Sequence, residues 1–250
     1  MSQFKIKSMK SNYLDTWKKN NLASYLLLGF FTISVIEIIA EYTENKQLIW
    51  LTKPLILPLL IGYYLKRTKR ISYPFIVALL FSWIANLIFI QNTFQLIVLG
   101  VFFFLIYRIL VIYIIVNKVK MPNSIPLIIG SLPFIFTYLA VTIFTYDTLG
   151  NNVYLFLIQG LFTIFLGGFS LGNYIMISNK SNTLLLISTM LMSINQFIFL
   201  MKFYYGEANL LQAFAMVLFV FGQFLLTKYM FHTENKKKRY EMINGLTENS

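Results

Sequence analysis

Apolar residues run through this chain in eight stretches, each long enough to cross the roughly 30 Å of a bilayer's hydrocarbon core as a helix of about 20 residues. They are Leu22–Ala40, Leu48–Leu65, Ile71–Ile90, Phe94–Val116, Ile125–Tyr146, Val153–Ile177, Thr183–Phe203 and Leu210–Met230. Polar residues between them are confined to short connections such as Lys66-Arg67-Thr68-Lys69-Arg70, Gln91-Asn92-Thr93 and Gly150-Asn151-Asn152. The connection at 91–93 is short enough that helices three and four must form an antiparallel hairpin. The pattern predicts an all-α, polytopic transmembrane helix bundle of about eight helices. It would span residues 22–230, with a basic cytoplasmic segment at 1–21 and a charged cytoplasmic tail at 231–250. Residues 1–21 lack an apolar core followed by a small-residue cleavage site, so Leu22–Ala40 reads as an uncleaved first span rather than a signal peptide.

Composition supports the bilayer as solvent. Hydrophobic residues make up 58% of the chain and charged ones 12%, where a soluble domain carries about 25% charged residues and would need a polar shell around a core of this size. Orientation follows from the Lys and Arg positions. The N-terminal segment carries Lys5, Lys7, Lys10, Lys18 and Lys19. The second connection carries four cations, the fourth Lys118 and Lys120, and the sixth Lys180. Lys228, Lys236, Lys237, Lys238 and Arg239 follow at the last helix end and in the tail. The odd connections hold only Lys46 and Lys202, beside Glu41, Glu44, Asp147 and Glu207. The alternation predicts a plasma membrane protein with both termini cytoplasmic. The net charge of +12 is then topogenic and attracts anionic lipid headgroups; no folded soluble part exists to hold a nucleic acid. With no cysteine and one histidine, His232 in the tail, the usual ligands of zinc, haem or iron–sulfur centres are missing, and neither a metal nor another cofactor is expected.

Ionisable groups at bilayer depth are functional candidates by default. Glu37, near the outer end of helix one, and Lys53, a similar distance into helix two, can pair across a short turn. That pair reads either as part of a site or as an interfacial salt bridge. Arg108 lies deeper in helix four and needs acceptors for its donors, unless it snorkels to the inner headgroups. Ser82 and Asn86 share one face of helix three, and Ser188 and Asn195 share one face of helix seven. Gln159, Asn173, Gln196 and Gln223 add further amides, which serve equally as glue between helices. Gly168-Phe169-Ser170-Leu171-Gly172 permits close helix packing, and Pro54, Pro58 and Pro133 free backbone carbonyls that could line a cavity. The segments Ser82–Phe89 and Ser193–Ile198 resemble each other, either as a trace of a parallel four-plus-four repeat or as coincidence in Phe/Ile-rich sequence.

Four motifs carry a family resemblance. Helix two reads Leu51-Thr52-Lys53-Pro54-Leu55 and helix three Leu80-Phe81-Ser82-Trp83-Ile84-Ala85-Asn86. Helix seven reads Ser193-Ile194-Asn195-Gln196-Phe197, then Lys202-Phe203, and helix eight Phe219-Val220-Phe221-Gly222-Gln223. In helix count and motif order the chain resembles the YhhN family, eight-helix membrane proteins that include lysoplasmalogenases. That family usually has Lys-Pro in helix two, Phe-Ser-x-x-Gly-Asp in helix three, Ser-Asp then Arg-Phe in helix seven, and Tyr-x-x-Ala-Gln in helix eight. The resemblance puts the family's two aspartates on Asn86 and Asn195, and a histidine common in helix four on Arg108. It implies a lipid-accessible polar pocket near the outer face, with a lysolipid or other amphiphile as ligand and Lys53, Asn86 and Asn195 in the catalytic set, which Glu37 joins by its place beside Lys53. Ser82, Gln223 and Arg108 would contact substrate.

The implied reaction is hydrolysis of a vinyl ether, which begins with a proton delivered to carbon. An amide cannot deliver it, and loss of one positioned acid costs about 10²–10⁴-fold. Two readings follow: Glu37 takes over as acid beside Lys53, or the pocket binds an amphiphile without hydrolysing it. The alternative from another class is a small-solute or lipid transporter, supported by the repeat and the proline-bearing helices.

Overall fold

A computed structural model of the chain describes the backbone of residues 2–91, 93–149, 153–205 and 209–247, and most side chains between 21 and 234. The side chains of the terminal cations at 5–19 and 236–239 and of Asp147 and Lys202 lie outside the described residues, as do the connections at Asn92, 150–152 and 206–208, the last including Glu207. Eight α-helices follow in order: α1 Ser2–Tyr42, α2 Lys46–Arg67, α3 Tyr73–Ile88, α4 Phe94–Lys118, α5 Ser124–Leu149, α6 Val153–Met176, α7 Lys180–Tyr205 and α8 Asn209–Thr247. Every predicted apolar stretch falls on one of them, and each helix contains a segment long and apolar enough to cross a membrane. The segments before Leu22 and after Met230 continue α1 and α8 as helix.

Local chemistry sets the helix ends. Between α1 and α2 the chain turns in three residues, with Glu44 in the left-handed region at φ 53°. The side chain of Asn45 then caps α2 by accepting from the Leu48 amide at 3.2 Å. Pro74 sits in the first turn of α3, where a missing N–H costs nothing. At its other end α3 tightens into a 3₁₀ turn, Phe89–Gln91, before α4 begins.

Consecutive helices pack as antiparallel pairs, α1 with α2, α3 with α4, α5 with α6 and α7 with α8. Further contacts join α8 to α1, α7 to both α5 and α6, α4 to α6, and α2 to α3. The α5–α6 pair shows why the small-residue pattern matters. A Cβ built on Gly130 would lie 2.8 Å from both the Gly168 carbonyl oxygen and the Gly172 nitrogen, so these two backbones touch directly. In α2 the amide missing at Pro58 frees the Pro54 carbonyl, which faces no empty cavity: the Trp83 indole N–H of α3 donates to it at 2.8 Å.

The bundle is apolar outside and polar within. Leu28, Phe136 and Leu161 are 65%, 68% and 67% exposed, while Glu37, Ser82, Ser170 and Gln223 are fully buried. Such an outer surface is compatible with lipid and not with water. This is a multi-pass membrane protein.

Candidate functional site

The end of the bundle at which α1, α3, α5 and α7 finish holds a knot of charge. Glu37 and Glu41 are four residues apart on α1 and therefore share a face. Lys53 of α2 reaches up between them. Its ammonium donates to the Glu41 carboxylate and lies 3.7 Å from Oε1 of Glu37. The other Glu37 oxygen lies against the Thr52 hydroxyl, whose single proton is shared between that carboxyl and the Leu48 carbonyl, 2.7 Å away. All three ionisable groups are buried, Lys53 most exposed at 9%. Among the described residues Glu37 Oε1 accepts no hydrogen bond.

The sequence places Glu41 in the first connection as a loop charge. The structure corrects this: α1 runs on to Tyr42, so Glu41 belongs to the bundle and is the closer of the two counter-ions to Lys53. The i, i+4 spacing from Glu37 was the available signal, masked by the apolar stretch ending at Ala40.

Beside this knot is a cavity of about 120 Å³, lined by Glu41, Lys53, Asn86, Gln159, Asn195, Gln196 and Gln212. Apolar walls come from residues such as Phe89, Val101, Phe104, Met192 and Phe219. Side chains from α1, α2, α3, α4, α6, α7 and α8 converge there. The two similar segments, 82–89 and 193–198, reach the same cavity through Asn86 with Phe89 and through Asn195 with Ile198.

The amides on the wall have hydrogen-bonding capacity to spare. Asn86 Nδ2 donates to the Ser82 carbonyl at 2.8 Å, but its Oδ1 accepts nothing among the described residues. The side chains of Asn195 and Gln159 make no hydrogen bond there at all. Polar groups at this depth are normally partnered, so three such amides around one hollow define a place for water or for the polar atoms of a ligand.

Of the residues singled out by sequence, Lys53, Asn86 and Asn195 thus meet on one cavity wall, and Glu37 stands one layer behind them. Ser82 and Gln223 lie elsewhere, in a buried chain where Gln223 Nε2 donates to the Ser82 hydroxyl at 3.0 Å and Tyr107 donates to Gln223 Oε1 at 3.2 Å. Ser188 of α7 donates to the Gly222 carbonyl at 2.8 Å.

Arg108 points inward and does not snorkel. It is 3% exposed, donates to Gln196 Oε1 and, at 3.4 Å, to the Gln159 carbonyl, and stands 5.9 Å from the Phe104 ring centroid. Gln196 Oε1 also accepts from Thr163 at 2.7 Å, and its Nε2 donates to the Tyr138 hydroxyl at 3.2 Å. Arg108 lines a smaller hollow of about 20 Å³ and touches residues of the main cavity wall, Gln159, Gln196 and Phe104, without lining that cavity itself.

An eight-helix membrane bundle with a polar cavity built from intramembrane amides and an ion cluster is the class that fold and site define. Residues 48–230 match the model of the YhhN family, well over half of the chain, and the protein belongs to that family. Comparison with curated proteins and with solved structures gives no match.

Proposed function

We propose that the cavity takes the polar part of a single-chain, ether-linked amphiphile of the lysoplasmalogen type and hydrolyses its vinyl ether slowly, with Glu41 as the acid. The observation that supports this is the carboxylate of Glu41 on the cavity wall, next to Lys53 and within the same hollow as Asn86 and Asn195. Two carboxyl groups face one ammonium, so a single proton on the pair makes the cluster neutral; carried by Glu41 when the ligand is bound, it supplies what the first step consumes. That proton adds to the vinyl carbon remote from oxygen and leaves an oxocarbenium ion. Water then adds to the cationic carbon, returning a proton to the carboxylate, and the hemiacetal collapses to a fatty aldehyde and the free alcohol of the glycerophospho head.

Asn86, Asn195 and Gln159 offer acceptors and donors to hold the attacking water and the head, while the aromatic and Met walls take the start of the chain. Because amides stand at 86 and 195, where the family resemblance puts aspartates, turnover is about 10²–10⁴-fold below that of a site with a positioned acid there. The membrane is the plasma membrane, both termini are cytoplasmic, and the cavity lies near the outer face and admits its ligand from lipid.

The test is aldehyde release from lysoplasmalogen by the purified protein in detergent. Wild type should release it slowly, Glu41→Gln should abolish release while still binding the lysolipid, and Asn86→Asp with Asn195→Asp should raise the rate. Wild-type release no greater than that of Glu41→Gln would remove the hydrolytic reading, and loss of lysolipid binding in neither a Lys53→Ala nor an Asn195→Leu variant would remove the pocket.

A further inference from the structure

At the far end of the bundle from this cavity, α2 and α8 line a further recess of about 190 Å³. Arg67 stands fourteen residues beyond Lys53 on α2, roughly 20 Å along the helix axis, so the two hollows are separate. Arg67, Lys228 and His232 line the recess together with the rings of Tyr63 and Phe231.

Glu234, also on its wall, is engaged from three sides. The Tyr64 hydroxyl donates to it at 2.7 Å, the Thr68 hydroxyl donates to its other oxygen, and the Lys118 ammonium lies 3.6 Å away. Among the described residues neither Arg67 nor Lys228 has a carboxylate within ion-pair distance. Lys228 instead lies over rings, 5.2 Å from the Phe224 centroid and 6.0 Å from that of Tyr63.

Charge that only sets topology needs no particular shape and sits well in open water. Here a guanidinium and an ammonium border one concavity together with two aromatic rings. A guanidinium matches the tetrahedral oxygens of phosphate bidentately, and an ammonium adds a point charge beside it. We propose that this recess binds a phosphate group, as a monoester or diester, held between Arg67 and Lys228. Its source is either the headgroup of an anionic phospholipid, whose glycerol end would rest on Tyr63 and Phe231, or phosphate free in water.

The full chain is reconstituted in nanodiscs of mixed phosphatidylglycerol and phosphatidylcholine, and the lipid it retains on release into the gas phase is counted by native mass spectrometry. Selective retention of phosphatidylglycerol is expected, weakened about tenfold or more when Arg67→Gln and Lys228→Gln are combined. A control that removes equal charge, Lys120→Gln with Lys180→Gln, should retain the lipid as wild type does. Inorganic phosphate titrated against the protein in detergent separates the sources: protection against thermal unfolding that needs Arg67 and Lys228 assigns the recess to free phosphate. Equal retention of the two lipids together with no phosphate protection overturns the proposal. So does retention and protection unchanged in the Arg67→Gln, Lys228→Gln protein. Circular dichroism and gel filtration identify a variant that has failed to fold, and Lys228→Arg, which keeps the charge, should then still bind.

Discussion

Replacing Lys53 by methionine tests whether the ion cluster is held by mutual compensation. The side chain is close in volume, so the change removes charge while keeping the space filled. It leaves the carboxyls of Glu37 and Glu41, 0% and 6% exposed, facing each other without a cation. Removing one partner of a buried pair costs about 3–5 kcal/mol, because the remaining charge keeps its desolvation penalty and loses its compensation. The Thr52 hydroxyl still donates to Glu37, so the lower end of that range applies, about 3 kcal/mol. For a chain of this size each kcal/mol moves Tm by about 2–4 °C, giving a drop on the order of 6–12 °C.

Thermal unfolding in detergent, followed by circular dichroism, measures the drop. The companion variant combines Lys53→Met with Glu37→Gln and Glu41→Gln. With every charge gone the penalty goes too, and at least half of the lost Tm should return. A fall of less than about 2 °C for the single variant, or a triple variant no more stable than the single one, would refute the reasoning.

Other positions yield equally direct expectations. Trp83→Phe strips the donor from the Pro54 carbonyl and should cost about 1–3 kcal/mol. Adding Pro58→Ala restores an amide four residues on, so the double variant should recover stability in the same unfolding measurement if the orphaned carbonyl is the cause. Gly130→Ala pushes a methyl to 2.8 Å from two backbone atoms of α6, which no rotamer change can relieve, and should destabilise by about 1–3 kcal/mol in urea or heat. The nearby exposed Ile129→Ala, which faces outward, should be close to neutral by comparison.

The spans were legible along the chain because crossing a bilayer is a local demand. Each segment must satisfy its own backbone hydrogen bonds and present apolar side chains over a fixed length, and both conditions can be read residue by residue. Eight stretches of Phe, Leu and Ile meet them, and eight helices stand there. The same reading drew attention to Lys53, Asn86 and Asn195 as costly polar residues in apolar surroundings, and those three line one cavity.

What the chain alone left open was which way each helix is turned and where it stops. Glu41 counts as a loop charge or as a buried counter-ion depending on a single further turn of α1. Arg108 could have risen to the headgroups along the outside of α4; the rotation of that helix directs it to Gln196 instead. Ser82 shares a helix face with Asn86, yet its hydroxyl meets the Gln223 amide of α8, and only Asn86 of the two lines the cavity. Hydropathy fixes how deep a side chain lies in the bilayer. Only the close packing of helices, through contacts such as Gly130 on Gly168 and Gly172, fixes the rotation that decides which polar groups meet.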